Sequence, residues 1–153
     1  MKRIKSLSII LLLMIAFSTS TFAQHEEITG LWKTIDDETG DVKSIVNIYL
    51  QDGKLFGDIK KIFPKEGTDQ NPTCTKCDDD DPRKDKPIIG MTIITDMELD
   101  EDDNEWEDGE ILDPKKGKTY DCKLWVEDGK LQVRGYVLFF HRTQEWIRFE
   151  GEI

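Results

Sequence analysis

The chain has 153 residues, 32 of them acidic and 21 basic, and a formal net charge of −11. Such a balance repels phosphate backbones and anionic lipid headgroups, so nucleic-acid or charge-driven membrane-surface binding would need a local basic patch, which the sequence does not show. The length suits one ordinary domain able to bury a core without extra cross-links.

Lys2, Arg3 and Lys5 open the chain, the apolar run Ile9 to Phe17 follows, and Ser18-Thr19-Ser20-Thr21-Phe22-Ala23 supplies small residues before a cut. A charged, an apolar and a cleavage region in that order predict a removable export signal over Met1–Ala23. The apolar run falls far short of the roughly 18 residues of a spanning helix. No cysteine lies at the cut to take a lipid, so the product is expected to be periplasmic or secreted, without a membrane span. Loss of the three leading bases takes the charge from −11 to −14.

Residues 24–153 then read as a single domain. Apolar residues alternate with polar ones in short segments, the pattern of half-buried strands. The predicted strands are Gly30–Ile35, Lys43–Leu50, Lys54–Phe63, Ile88–Thr95, Glu105–Leu112, Thr119–Glu127, Lys130–Phe139 and Thr143–Phe149. Asp52-Gly53 and Asp128-Gly129 mark tight hairpin turns between neighbours, and the likeness of QDGKLFGDI to EDGKLQVRGYV is expected from shared turn chemistry, with a distant duplication as the alternative. Gly57 and Gly135 fall inside strands, where glycine marks bulges or bends. Eight sequential strands predict an all-β fold, a small antiparallel up-and-down barrel of lipocalin or calycin type, with a β-sandwich as the alternative. The acidic stretch Asp96–Asp103 carries no confident element.

Residues 64–87 form an unusually long connection holding Cys74-Thr75-Lys76-Cys77, four consecutive aspartates and a basic segment from Arg83. Long loops in compact domains are commonly lids or binding segments. Export favours a Cys74–Cys77 disulfide, with a partial metal site or a redox pair as alternatives; Cys122, on the apolar face of its strand, reads as a buried thiol. Asp100, Asp102 and Asn104 have the first spacings of a calcium loop, but Glu105 stands where glycine is needed and Ile111 where the closing glutamate belongs, so a solvated turn is expected. No metal and no cofactor are predicted.

His25 and His141 are the two histidines, and neither belongs to a nucleophile motif. Trp32 and Trp146, with Arg148, lie on strands that meet if a barrel closes, where an arginine over an indole would hold the seam.

Gly30-Leu31-Trp32, Cys74-Thr75-Lys76-Cys77, Ile111-Leu112-Asp113-Pro114 with Gly117-Lys118-Thr119-Tyr120, Arg134-Gly135-Tyr136 and Arg142-Thr143-Gln144-Glu145-Trp146 together resemble the DUF2147 family of exported bacterial proteins of unknown function. The resemblance covers nearly the whole mature chain and implies an envelope location and a small β domain. Members often carry glycine or small residues where this chain has Leu138-Phe139-Phe140-His141. The Gly-x-Trp opening and late arginine are also similar to lipocalins, a looser likeness. It implies a barrel mouth for a small hydrophobic or amphipathic molecule, with the long loop as a lid. On this reading the candidate ligand-binding residues are Trp32, Tyr120, Arg134, Tyr136, Arg142, Trp146 and Arg148, in a monomer. The competing expectation is an envelope protein-interaction module with a filled interior; a hydrolase-type enzyme stands third.

Overall fold

The computed structural model describes residues 27–153; the expected export signal Met1–Ala23 and His25 lie outside the described residues. Eight strands follow in chain order: β1 (Gly30–Ile35), β2 (Val42–Gln51), β3 (Lys54–Ile62), β4 (Thr92–Asp100), β5 (Glu105–Asp113), β6 (Lys118–Glu127), β7 (Lys130–Val137) and β8 (Phe140–Arg148). Each pairs antiparallel with the next, and β1 pairs with β8 through Trp32 opposite Arg148 and Lys33 opposite Ile147, so the sheet closes into a barrel. Closure removes both free edges, which decides against the sandwich.

One end of the barrel is tightly turned. Asp52-Gly53 and Asp128-Gly129 have φ of 51° and 81°, and of 51° and 72°, the left-handed pairs that let a two-residue turn match strand twist. These turns, with the β4–β5 turn at residues 101–104, form the floor. The opposite end, the mouth, carries the β1–β2, β3–β4, β5–β6 and β7–β8 connections.

Two strand boundaries differ from expectation. β4 starts at Thr92, after the Gly90 turn, and runs through the acidic stretch to Asp100, with Met97 opposite Leu55 and Leu99 opposite Trp106. The alternation of Met97 and Leu99 with outward acids was masked by the density of charge. β7 ends at Val137 and β8 begins at Phe140, because Leu138-Phe139 forms the turn, with Leu138 at φ 53°. Gly57 sits at a register shift between β3 and β4, as a strand glycine should. Gly135 does not: pairing on both sides of β7 runs through it unbroken. The tighter glycine is Gly109, where a Cβ would lie 2.4 Å from the Thr95 carbonyl oxygen, beside a β5 bulge at Glu107 and Asp108.

Inward-facing Trp32, Val46, Ile48, Leu55, Ile94, Met97, Trp106, Leu124, Leu131 and Trp146 are buried and fill the barrel from the floor through its middle. Ile93 and Leu112 belong to the same buried cluster although the alternation turns them outward. The long β3–β4 connection folds down along the outside of the wall at that place, so it is a buttress there.

Candidate functional site

At the floor, the Trp32 indole donates to the Ile28 carbonyl at 2.8 Å, and the Arg148 guanidinium lies over its ring at 3.8 Å from the centroid. Arg148 also donates to the carbonyls of Thr29, at 2.5 Å, and Glu27. Gly30, two before the tryptophan, has φ 108°, a conformation side chains resist, and a Cβ there would also lie 2.8 Å from this guanidinium. Burial lowers the Arg148 pKa from its ordinary value, opposed by Glu27 and Glu150. This constellation plugs the floor, and Trp146, buried above it, leaves no free face for a ligand.

The wall loop is organised by the Cys74–Cys77 disulfide, whose two cysteines are buried. Bonds from Cys74 N to the Lys86 carbonyl and from Asp85 N to the Cys74 carbonyl close the loop on itself. Lys84 reaches the carbonyls of Thr75 and Cys77 at 3.1 and 2.9 Å. Arg83 ties it to the barrel, donating to the Thr92 carbonyl and the Thr119 hydroxyl while pairing with Asp81 at 2.8 Å. That contact holds the Asp81 carboxyl below the ordinary carboxylate range. Cys122 remains a free thiol inside the barrel, and burial pushes its pKa up to about 12.

The mouth differs in character. Above Trp146 the interior turns polar: the hydroxyls of Thr34 and Ser44 bond to each other at 2.7 Å, and Gln144 Nε2 donates to the Asp37 carboxylate at 2.7 Å. Arg142 pairs with the same carboxylate at 2.5 Å. Cross-strand pairing places Gly135 opposite both Cys122 and Arg142, and Val137 opposite Phe140. Tyr120, half-buried, shares this inward face on β6 through its pairing with Ile111. The upper inner wall of β6, β7 and β8 is thus a mixed surface of ring, methyl, guanidinium and amide groups.

The structure therefore divides the expected site residues among three places. Trp32, Trp146 and Arg148 build the floor. Tyr120 and Arg142 line the mouth. Arg134 and Tyr136 point outward, Arg134 stacking on Trp125 at 4.7 Å and donating to Thr143, and Tyr136 against His141 at 5.9 Å between ring centroids. His141 is thereby on the face opposite Arg142. Asp37 and Gln144 were not singled out from the sequence. The signal for Asp37 is the acidic first hairpin loop, which ring closure sets beside β8, where Arg142 needs a partner.

Two clefts lie on the outer wall. One of about 370 Å³ is lined by Glu98, Asp100, Glu101, Asp102, Glu107 and Asp108. Glu98 sits directly opposite Glu107 in register, and the pair is held by Lys54 at 2.7 Å from Glu98 and by Lys123 against Glu107. Asp100 accepts amide bonds from Asp102 and Asp103, so it shapes the turn at residues 101–104. Among the described residues no group of histidine, cysteine, aspartate or glutamate side chains converges to hold a metal.

No helix among the described residues is long and apolar enough to cross a membrane. No curated protein matches the sequence. Among solved structures, the chain is similar to protein HP1028 from Helicobacter pylori, described as belonging to the lipocalin family. The TM-score is 0.66 at 16% identity, over 80% of this chain and 83% of that one. At that identity the likeness shows a shared fold. The model of an uncharacterized family conserved in bacteria matches residues 30–148, the whole barrel from Gly30 to Arg148, and the chain belongs to that family, DUF2147.

Proposed function

We propose that the mature chain, residues 24–153 released by cleavage of an export signal, carries a small amphipathic molecule at the mouth of its barrel. One observation carries this reading: inward-facing groups at the mouth are left uncovered. Val137 is 51% exposed, Phe140 78% and the Arg142 side chain 61%, although strand alternation sets each on the face that is inward lower on β7 and β8. A barrel packed to its rim would bury them, as it buries Leu131, Val133 and Trp146 lower on the same strands. Apolar groups beside a few convergent polar ones are the usual composition of a small-molecule site. Phe140, Val137 and Tyr120 would contact the apolar part of the ligand, and Arg142 and Gln144 a polar or anionic end. The filled middle limits the ligand to the mouth, so a short or folded molecule fits better than a long extended chain.

That filled interior also favours a second reading, an envelope interaction module that carries nothing. Native mass spectrometry of the protein from its own envelope, repeated after denaturation, separates the two. A mass excess that vanishes on denaturation supports the carrier. A bare chain that also fails to take up an environment-sensitive fatty-acid probe overturns it. Arg142→Ala should weaken probe uptake about tenfold while unfolding at nearly the wild-type denaturant concentration, since exposed ion pairs contribute little stability.

A further inference from the structure

The tip of the β7–β8 hairpin has no packing role that explains its composition. Leu138 is 91% exposed and Phe139 97%, and Phe140 and Val137 flank them on the exposed arms. The backbone makes this choice costly. Leu138 occupies the first position of a two-residue turn at φ 53°, a conformation that glycine adopts freely and a leucine side chain resists. A branched apolar side chain at a glycine position, followed by two phenylalanines, trades turn stability for exposed apolar surface, and contiguous patches of this kind mark contact sites.

The shape and size of the tip select what covers it. The two tip side chains, Leu138 and Phe139, present on the order of 350 Å², against the roughly 800 Å² per partner of a standard protein interface. The patch is also a projecting knob, which a flat protein surface touches on one side and a lipid layer surrounds on all sides. The β5–β6 turn beside it carries Lys115, Lys116 and Lys118, of which Lys116 pairs with Asp113 at 3.8 Å and Lys118 with Asp78 of the wall loop at 3.9 Å, so charge near the tip is largely balanced and the apolar tip itself carries the attraction. Across the mouth lie the acids of the β1–β2 loop, Asp36, Asp37, Glu38 and Asp41, of which Asp37 is occupied by Arg142 and Gln144. The acid-rich floor turns are at the far end of the barrel.

From these observations we infer that the hairpin tip is a membrane-docking element: Leu138 and Phe139 insert among lipid headgroups and acyl chain ends, with the β5–β6 turn beside the headgroup layer. Insertion supplies the attraction, so the acidic body of the protein does not forbid it.

The test is flotation of the mature protein with vesicles of phosphatidylcholine containing one part in five phosphatidylglycerol, at low salt and at about 1 M salt, where the Debye length falls to about 3 Å. The comparison variant is Leu138→Gly with Phe139→Asn, which supplies a favoured turn dipeptide, leaves Val137, Phe140 and Arg142 in place and should unfold no earlier than wild type. Wild type is expected to float with vesicles at both salts, and the variant to lose at least tenfold of that binding. Absence of wild-type flotation, equal flotation of the variant, or binding abolished by salt alone would each overturn the proposal. A concentration-dependent dimer in sedimentation, without flotation and lost in the variant, would overturn it in favour of a second copy of the chain. Because the variant keeps Val137, Phe140 and Arg142, lost flotation with fatty-acid probe uptake retained assigns the binding to the tip, and failure of the probe assay leaves this proposal standing.

Discussion

The carbonyl oxygen of Lys76 occupies the place where a side chain on residue 117 would begin: a Cβ built on Gly117 lies 1.8 Å from it. Gly117 also has φ 67°, and it closes the β5–β6 turn by donating to the Asp113 carbonyl. Two sequence signatures far apart in the chain, the Cys-x-x-Cys knuckle and the Asp-Pro-x-x-Gly-Lys turn, are thus one contact. Gly117→Ala should displace the knuckle and cost roughly 3 kcal/mol or more. Gly129→Ala, with the same backbone sign but open space around its Cβ, should cost about 1–2 kcal/mol. Denaturant unfolding compares them, and equal costs would show that the knuckle yields freely.

Arg148 holds the floor through a ring and two carbonyls, so Arg148→Ala leaves the face of Trp32 bare and both acceptors unmatched. A loss of about 2–4 kcal/mol is expected. Arg148→Lys should recover little of it, because an ammonium cannot stack flat and serve two divergent carbonyls at once. Near-ultraviolet circular dichroism of the buried tryptophans should change in both variants. A lysine variant as stable as wild type would count against the stacking.

The Cys122 thiol should resist alkylation in the folded protein and react once per chain in denaturant. Its pKa rises from the ordinary value near 9.0 to about 12 on burial, so the folded state binds the proton more tightly than the unfolded state. The stability linked to it is fully present below the unfolded value and is lost as pH rises toward 12. Unfolding midpoints measured from pH 8 to 11 should fall more steeply for wild type than for Cys122→Ala; parallel slopes would remove the thiol from the account.

Acid should loosen the wall loop. Arg83 depresses the Asp81 pKa, so that pair's contribution is present above the ordinary carboxylate range and lost as pH falls through the depressed value. Asp81→Asn should cost roughly 1–2 kcal/mol near neutrality and flatten the acid limb of the stability profile. Protease nicking between residues 64 and 87 reports the release. A variant as resistant as wild type would show that Lys84 and the disulfide hold the loop without Arg83.

Much of this architecture was legible before any coordinates. Tyr120, Cys122 and Leu124 alternate with exposed partners plainly enough to fix a strand and its inward face, and Asp-Gly pairs fix two hairpins. The seam between Trp32 and Arg148 follows from ring closure once eight strands are counted. Met97 was harder, because an apolar residue between Asp96 and Glu98 contributes little to a pattern dominated by charge. The site was read less well. Tyr136 and Arg142 lie six residues apart on adjacent strands and face opposite ways, because the two-residue Leu138-Phe139 turn sets their register. A turn with leucine in a glycine position leaves no signature in a sequence.

Seven of the eight pairings join strands that follow one another in the chain, and only β1 with β8 brings its two ends together. The consequence concerns the order of events in folding. Each hairpin can form from local contacts with a small loss of chain entropy, whereas the seam must wait until the rest of the sheet has curled far enough to meet it. Two residue pairs make that seam, against eight between β7 and β8. The pairs Trp32–Arg148 and Lys33–Ile147 therefore mark the last place to assemble and the first to part, and the seam amides should exchange with solvent sooner than those of the long β7–β8 pairing.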